Sequence, residues 1–405
     1  MSLNGFFLYL GALAAVGIEP RTALTGAYFG LLGVTLLVLA WPRRGRIRAR
    51  VDAGGRTAAV FIVSAGLLAA WFLASAAFLS DGTSVSRLLA AELVFWTIPT
   101  ALLALSLSPR QLETALVTVV VLGLLFAAVD AGALVADFGA LGDRFSPIPK
   151  LDPIRAALIP ALAALAALCL PQRTTALERA RLAAIFLLTA LAVIPGSRGP
   201  LAALAVGGAA AIALSWRSTG RRVLLALALG ATVGAVLAAT TGTSRHLTSE
   251  LERGAPRARE QAPISSLKIR ERLLRKSLRA AAERPLTGHG IGTLVDDTPE
   301  AYRMGIAGRR TYPHNTFVEA LYSLGVPGLL LFVAALAAAV SALVRLARRA
   351  RDALTVFAVA FFAFALVNTN LTGELGADAP LWTSSALAIG LLAASRRSAG
   401  RAEAT

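Results

Sequence analysis

Residues 316–340 read TFVEALYSLGVPGLLLFVAALAAAV, a run of 25 residues with one charged side chain, Glu319. A helix needs about 20 apolar residues to cross the hydrocarbon core of a bilayer, which is roughly 30 Å thick. This run is long enough to span a membrane, although Gly325, Pro327 and Gly328 interrupt it. Because an apolar helix of this kind is not stable in water, the run predicts a membrane protein.

The composition of the whole chain agrees with this prediction. The chain is 56% hydrophobic and its mean hydropathy is +0.68. We therefore predict an all-α integral membrane protein with about twelve transmembrane helices. Windows of about 19 residues place the candidate spans at 3–18, 22–41, 58–79, 88–107, 114–136, 154–170, 182–196, 200–215, 223–241, 316–340, 353–371 and 381–395.

The arginines predict the orientation of the spans. Segments 42–57, 171–181, 216–222 and 345–352 are rich in arginine, and basic loops stay in the cytoplasm. We expect a multi-pass membrane protein with both termini in the cytoplasm. The predicted parts are an N-terminal bundle of about nine helices (1–241), a long periplasmic loop (242–315), C-terminal membrane helices (316–395) and a cytoplasmic tail (396–405).

The net charge of +17 does not require a nucleic-acid partner. Arginine-rich loops set the orientation of a membrane protein and contact anionic lipid headgroups. Membrane lipids are therefore expected partners, and nucleic acid is not. The single cysteine, Cys169, lies in an apolar run and can form no internal disulfide.

The long loop contains a predicted amphipathic helix at 264–284. At 100° per residue, one face carries Leu267, Leu274, Leu278 and Ala281, and a basic stripe carries Lys268, Arg272, Arg275, Lys276 and Arg279. Such a helix suits a membrane surface or the roof of a pocket. Arg270 lies near the leucines, away from the basic stripe. Burying an arginine there is costly unless it meets an anion.

His314 is one of three histidines and comes directly before the apolar run. Asn315 can cap the helix that begins at Thr316, which places His314 at the boundary between membrane and water. Its role is either structural, with local hydrogen bonds, or catalytic, since histidine is well suited to take a proton from a hydroxyl near neutral pH.

Arg198 lies in IPGSRGPLAAL (194–204), between two apolar runs. The turn either contacts lipid phosphate or holds a functional arginine, because arginines at the membrane edge tend to mark function and suit phosphate oxygens. His289 and Glu374 are weaker candidates. Asp296 and Asp297 are more often solvated than metal-bound, so we expect neither a metal nor a cofactor.

Three segments together resemble the O-antigen ligase and polymerase superfamily. They contain Ser197-Arg198-Gly199 between two spans, Arg270 followed by Pro285-Leu286-Thr287-Gly288-His289-Gly290, and Pro313-His314-Asn315 followed by Gly325-Val326-Pro327-Gly328. The resemblance covers residues 190–335, and the order and spacing of the pieces are more specific than any single piece. Leu274 stands where this family often has an aromatic residue.

The resemblance implies a glycosyltransferase that uses an undecaprenyl-diphosphate-linked glycan as donor. In the ligase branch the acceptor is the lipid A–core oligosaccharide. The essential histidine and the two arginines of the family correspond to His314, Arg198 and Arg270. Possible supporting residues are Asn315, His289, Glu374, Arg272 and Arg275.

Alternatives remain open from the sequence. An O-antigen polymerase or a protein O-oligosaccharyltransferase would use the same donor and the same motif. The chain length and the single long loop favour the ligase. Twelve spans would also suit a transporter, although such proteins usually have related halves. A non-catalytic scaffold that binds prenyl-diphosphate lipids is a further possibility.

Overall fold

A computed structural model describes residues 43–80, 84–136, 153–171, 174–195, 197–240, 266–295, 311–349, 352–372, 375 and 378–402. These residues form helices and no β-strand. The helices are α1 (Arg44–Phe78), α2 (Ser84–Glu92), a π-helical segment (Leu93–Thr97), α3 (Ile98–Ser106), α4 (Pro109–Ala136), α5 (Pro153–Leu168), α6 (Thr175–Val193), α7 (Arg198–Thr240), α8 (Ser266–Glu283), α9 (Thr316–Arg349), α10 (Ala353–Thr372) and α11 (Ala379–Ala402).

The prediction of an all-α membrane protein is confirmed in its coarse form. Six helices in the described part are long and apolar enough to cross a membrane. They are Arg44–Phe78, Leu89–Ser106, Pro109–Val129, Arg198–Ser215, Thr316–Arg349 and Ala353–Leu371. The predicted spans 3–18 and 22–41 lie outside the described residues, and the predicted spans 154–170, 182–196, 223–241 and 381–395 are not among the six. The count of about twelve therefore stays a prediction.

The chain forms two compact units. The first contains α4, α5, α6, α7 and most of α10, and the second contains α1, α2, α3, α8, most of α9 and α11. In the first unit, α6 packs on α7, and α5 packs on α4, α6 and α7. In the second unit, α11 packs on α1 and α3.

Helix α7 is a run of 43 helical residues that must turn back on itself. A straight helix would place Gly230 about 48 Å from Arg198. Yet a Cβ on Gly230 would lie 2.5 Å from the Phe186 carbonyl oxygen, and Phe186 is within about 30 Å of Arg198 along α6 and the connection. The chain therefore reverses inside α7.

Contacts along α6 locate this reversal. Arg222 pairs with Glu178 at 2.9 Å, at a sequence separation of 44. The close approach of Gly230 to Phe186 joins residues that are also 44 apart in the sequence. The second half of α7 therefore runs parallel to α6. The reversal falls near 216–222, where the sequence predicts an arginine-rich loop. Arg198 lies at the opposite end of this unit from the Arg222–Glu178 pair.

Gly55 divides α1 into two helices. Its φ of +57° lies in the left-handed region, which glycine enters without strain. The break frees two carbonyl groups, and Arg396 Nη1 donates to both, at 3.4 Å to Ala53 and 3.0 Å to Gly54. Arg345 donates to Thr57 Oγ1 at 2.8 Å. These contacts bring Arg345 and Arg396 to the break in α1, at one end of the second unit.

Gly325 breaks α9 in the same way, with a φ of +70°. The first segment ends at Leu324, and the second continues through the rest of the apolar run. The carbonyls of Tyr322, Ser323 and Leu324 lose their helical partners at such a break. They accept instead from His289 N–H at 2.8 Å, Gly290 N–H at 3.1 Å and Trp71 Nε1 at 2.9 Å.

Helix α8 confirms the predicted amphipathic helix but corrects its buried face. Leu273, Ser277 and Ala281 are buried, whereas Leu278 is 45% exposed. The predicted face, centred on Leu274 and Leu278, is therefore wrong. The buried face is rotated from it around the helix axis by about one residue step. The Ser277 hydroxyl donates within the helix to the Leu273 carbonyl at 2.8 Å. Ser277 can therefore be buried despite its hydroxyl, which hydropathy cannot anticipate.

Candidate active site

His314 has an unusual backbone conformation just before α9. Its φ of +53° is the only positive φ of a non-glycine residue among those described. The left-handed region costs a residue other than glycine about 1–3 kcal/mol and is often found at functional sites. Buried Pro313 precedes it, and the Tyr312 ring contacts the imidazole with centroids 4.1 Å apart.

Asn315 and Thr316 fix the backbone that carries His314. Asn315 Oδ1 accepts from the Val318 N–H at 3.0 Å, which confirms the predicted cap. Thr316 Oγ1 donates to the Thr369 carbonyl at 3.1 Å. The start of α9 is thus bound to the end of α10, and His314 can hold its strained conformation.

Arg270 lies close enough to His314 to act on its charge. Burial, followed by the positive charge of Arg270, lowers the pKa of His314 to about 4, against the opposing effect of a hydrogen bond with the Leu371 backbone. His314 is therefore uncharged at neutral pH. Its Nδ1 is buried and has no hydrogen-bond partner among the described residues.

The position of Arg270 follows from α8. At 100° per residue, Arg270 lies between the directions of Ser277 and Ala281, in the middle of the buried face. The sequence predicts this placement from the position of Arg270 off the basic stripe. The second unit therefore brings together Arg270 and His314, which are 44 residues apart in the chain.

Glu319 and Trp382 both bond to the backbone of Leu375, which lies between α10 and α11. Glu319 is 6% exposed, and its Oε2 accepts from the Leu375 N–H at 3.0 Å. Trp382 Nε1 donates to the Leu375 carbonyl at 3.4 Å. Glu374, which the sequence analysis placed at the site, lies outside the described residues, as do Asp296 and Asp297.

Asp378 is a buried acid that the sequence analysis did not identify. It is 4% exposed and its Oδ1 accepts from the Leu381 N–H at 3.3 Å, so it caps α11. Burial raises the pKa of Asp378 to about 6, while the Thr369 hydroxyl and the Leu381 N–H oppose the shift. An aspartate just before an apolar helix is a typical cap signal, and that signal could have found it.

The remaining predicted residues have less specific surroundings. Arg275 is exposed and pairs with Glu271 one turn away at 2.5 Å, and Arg272 is half-buried. Arg198 is exposed at the first residue of α7. It belongs to the first unit, whereas Arg270 and His314 belong to the second. The predicted convergence of all three side chains therefore stays a prediction.

An apolar cavity of about 220 Å³ lies among α1, α3, α11 and Leu375 in the second unit. Its lining includes Phe61, Ala69, Leu102 and Trp382. Leu375 is the residue that Glu319 and Trp382 hold by its backbone. The cavity therefore reaches Leu375, four residues after Leu371, which contacts His314.

Residues 183–333 match the model of a protein family described as O-Antigen ligase. This segment contains Arg198, Arg270 and His314, so the match supports the superfamily of O-antigen ligases and polymerases, which are glycosyltransferase-like membrane enzymes. No curated protein matches the chain. The resemblance inferred from the motifs is confirmed at the level of the superfamily, and the family implies lipid-linked glycan substrates.

Proposed function

We propose that this protein is an O-antigen ligase that transfers a glycan from undecaprenyl diphosphate to a hydroxyl of the lipid A–core oligosaccharide. His314 would take the proton from the acceptor hydroxyl. The hydroxyl oxygen then attacks the anomeric carbon of the donor and inverts it, and undecaprenyl diphosphate leaves.

One observation carries this proposal: His314 is strained, uncharged and placed beside Arg270. A neutral imidazole with a free lone pair can accept a proton, and an adjacent guanidinium can bind a diphosphate with two parallel hydrogen bonds. The proton transfer would contribute about 10²–10⁴-fold. The stabilised diphosphate charge would contribute more, since such contacts are strong where water is excluded.

Arg198 would bind the same diphosphate as a second cation. It is the first residue of α7 and is exposed. Pro200 follows in the first turn, where its missing N–H leaves no hydrogen bond unmade. The backbone N–H groups of a helix start favour anions, so the position suits an arginine that meets phosphate.

The location of the site agrees with a periplasmic reaction. Within the second unit, Arg345 and Arg396 lie at one end. Arg345 lies about 30 Å from the break at Gly325 along the second segment of α9. The first segment of α9, which follows His314, therefore lies toward the other end. The positive-inside tendency would put the arginine end in the cytoplasm and His314 in the periplasm.

The apolar cavity would take the part of the isoprenoid chain nearest the diphosphate. Its lining is almost free of polar atoms and includes Leu375, four residues after Leu371, which contacts His314. The exposed side of α8 would meet the phosphates of the acceptor, because Arg275, Arg279 and Arg284 are exposed there. Removing any one of these arginines should weaken acceptor binding and reduce its salt dependence.

The test uses the purified full chain in lipid nanodiscs with an undecaprenyl-diphosphate glycan. One reaction contains lipid A–core and the other contains only additional donor. We expect glycan on lipid A–core, and His314→Ala should abolish this transfer while donor binding persists. Glycan added to a second donor would identify a polymerase instead, and no transfer to either would contradict an enzyme of this class.

A chelator arm tests the metal-free mechanism. Transfer should persist after treatment with EDTA because the arginines balance the diphosphate charge. Activity that EDTA removes and a divalent cation restores would contradict this mechanism and favour a role for Asp296 and Asp297.

A further inference from the structure

His289 makes three contacts that join two helical segments. Its Nε2 lies 2.6 Å from the Ala280 carbonyl oxygen near the end of α8. Its ring stacks on Tyr322 in the first segment of α9, with centroids 5.0 Å apart and planes 8° from parallel. Its backbone N–H donates to the Tyr322 carbonyl at 2.8 Å.

The contact with Ala280 fixes the tautomer of His289. A carbonyl oxygen only accepts, so Nε2 must carry the proton. Ala280 belongs to the last four residues of α8, whose carbonyls have no helical partner. The imidazole therefore closes the end of α8 while its face packs on Tyr322.

The glycines on both sides hold the imidazole in this place. Gly288 has a φ of +72°, and a Cβ there would lie 2.5 Å from the Ser323 carbonyl oxygen. The Gly290 N–H donates to the same carbonyl at 3.1 Å. The turn is thus fixed against the break in α9, and the His289 ring can reach α8 only from this turn.

Arg270 and His314 lie at the other ends of the two segments that His289 joins. Arg270 precedes Ala280 by ten residues, or about 15 Å, and His314 precedes Tyr322 by eight residues, or about 12 Å. The two segments therefore run side by side. A swing of α8 by about 4° around the His289 contact would move Arg270 by about 1 Å, and displacements of that size can cost about 10²-fold in rate.

We propose that His289 is a positioning residue: its ring fixes α8 to the first segment of α9 and so sets the distance between the Arg270 guanidinium and the His314 imidazole. The effect of His289 on glycan transfer rests on the proposed function, whereas its contact with α8 and α9 does not. Nothing in the superfamily pattern of Pro285, Gly288 and Gly290 requires a histidine between the two glycines.

The first experiment measures amide hydrogen exchange in the full chain in nanodiscs. His289→Ala should speed exchange at the end of α8 and in 285–294 by about 10-fold or more and leave α5 unchanged. His289→Gln can still donate to Ala280 and should restore most of the protection. Lys276→Met is the matched control, because it removes another α8 hydrogen bond, from Nζ to the Val295 carbonyl at 2.8 Å, that does not involve α9. Exchange in His289→Ala equal to that of wild type would overturn the proposal.

The second experiment is a double-mutant cycle on transfer. His289→Ala should lower kcat about 10- to 100-fold, and His289→Gln should recover most of it. In an Arg270→Ala background, His289→Ala should change kcat less than about 2-fold, because its effect passes through Arg270. Fully additive losses would overturn the proposal. If Arg270→Ala alone leaves transfer intact, the proposed function of Arg270 fails, while hydrogen exchange still decides the role of His289.

Discussion

At the scale of single residues, His314 combines a strained backbone with a suppressed charge. A neutral imidazole is useful as a base, but a pKa of about 4 makes it a weak one. A bound diphosphate would partly neutralise Arg270 and add negative charge, and both changes raise the pKa of His314. The donor would thus strengthen the base when it is needed.

The pH dependence of transfer tests this coupling. The neutral form of His314 is present above about pH 4 and is lost as the pH falls through that value. We expect the acid limb of kcat/KM near pH 4 and the acid limb of kcat at a higher pH, since these parameters report the free and the donor-bound enzyme. Activity should return when the pH is restored. Acid limbs at the same pH for both parameters would contradict the coupling.

Substitution of Arg270 should affect both the charge and the geometry of the site. Arg270→Ala should lower transfer about 10²–10³-fold, and Arg270→Lys should recover little, because an ammonium cannot make a two-pronged contact. The acid limb of kcat/KM should also move to higher pH in Arg270→Ala, since the cation that lowers the pKa of His314 is gone. Lys276→Met, on the same helix, should stay near wild type in rate. An unshifted acid limb in Arg270→Ala would show that the two groups do not interact.

At the scale of elements, the break in α9 organises the site. The first segment follows His314 and carries Glu319. The turn at 285–290 is hydrogen-bonded to the carbonyls that the break exposes. Val326 N–H in turn donates to the Pro285 carbonyl at 2.7 Å. In an apolar environment these backbone groups have no water to bond with, so each lost contact is expensive.

Gly325→Ala should therefore destabilise the fold. A left-handed alanine costs about 1–3 kcal/mol, and its Cβ would also lie 2.6 Å from the Leu286 carbonyl oxygen. We expect a lower thermal midpoint in detergent by many degrees and loss of transfer. Gly45→Ala is the control, because a Cβ there has no neighbour within 4 Å and Gly45 does not line the apolar cavity. Equal midpoints for the two variants would argue against the role of the break.

At the scale of the whole molecule, contacts between distant parts of the chain build the second unit. Trp71 donates to the Leu324 carbonyl across 253 residues, and Arg396 donates to the Ala53 carbonyl across 343 residues. The apolar cavity also depends on α1, α3 and α11 together. The sequence of any one helix does not reveal this cavity.

Filling the cavity should weaken the binding of donors with long isoprenoid chains more than that of donors with short ones. Ala69→Phe places a ring in the cavity and should raise the KM for an undecaprenyl donor about 10-fold. It should change the KM for a donor with a very short isoprenoid chain much less. Leu67→Phe is the control, because Leu67 lies on the same helix and is 54% exposed. Equal effects of Ala69→Phe on both donors would show that the chain binds elsewhere.

The sequence by itself determined what depends on neighbours along the chain. Hydropathy predicted the membrane helices, Asn315 predicted the start of α9, and the motifs around Arg198, Arg270 and His314 indicated the superfamily. Tertiary structure alone decided which face of α8 is buried, which groups satisfy the carbonyls at the break in α9, and that His314 adopts a positive φ. These features depend on partners far away in sequence, and local pattern carries no information about such partners because the same apolar period fits several packings.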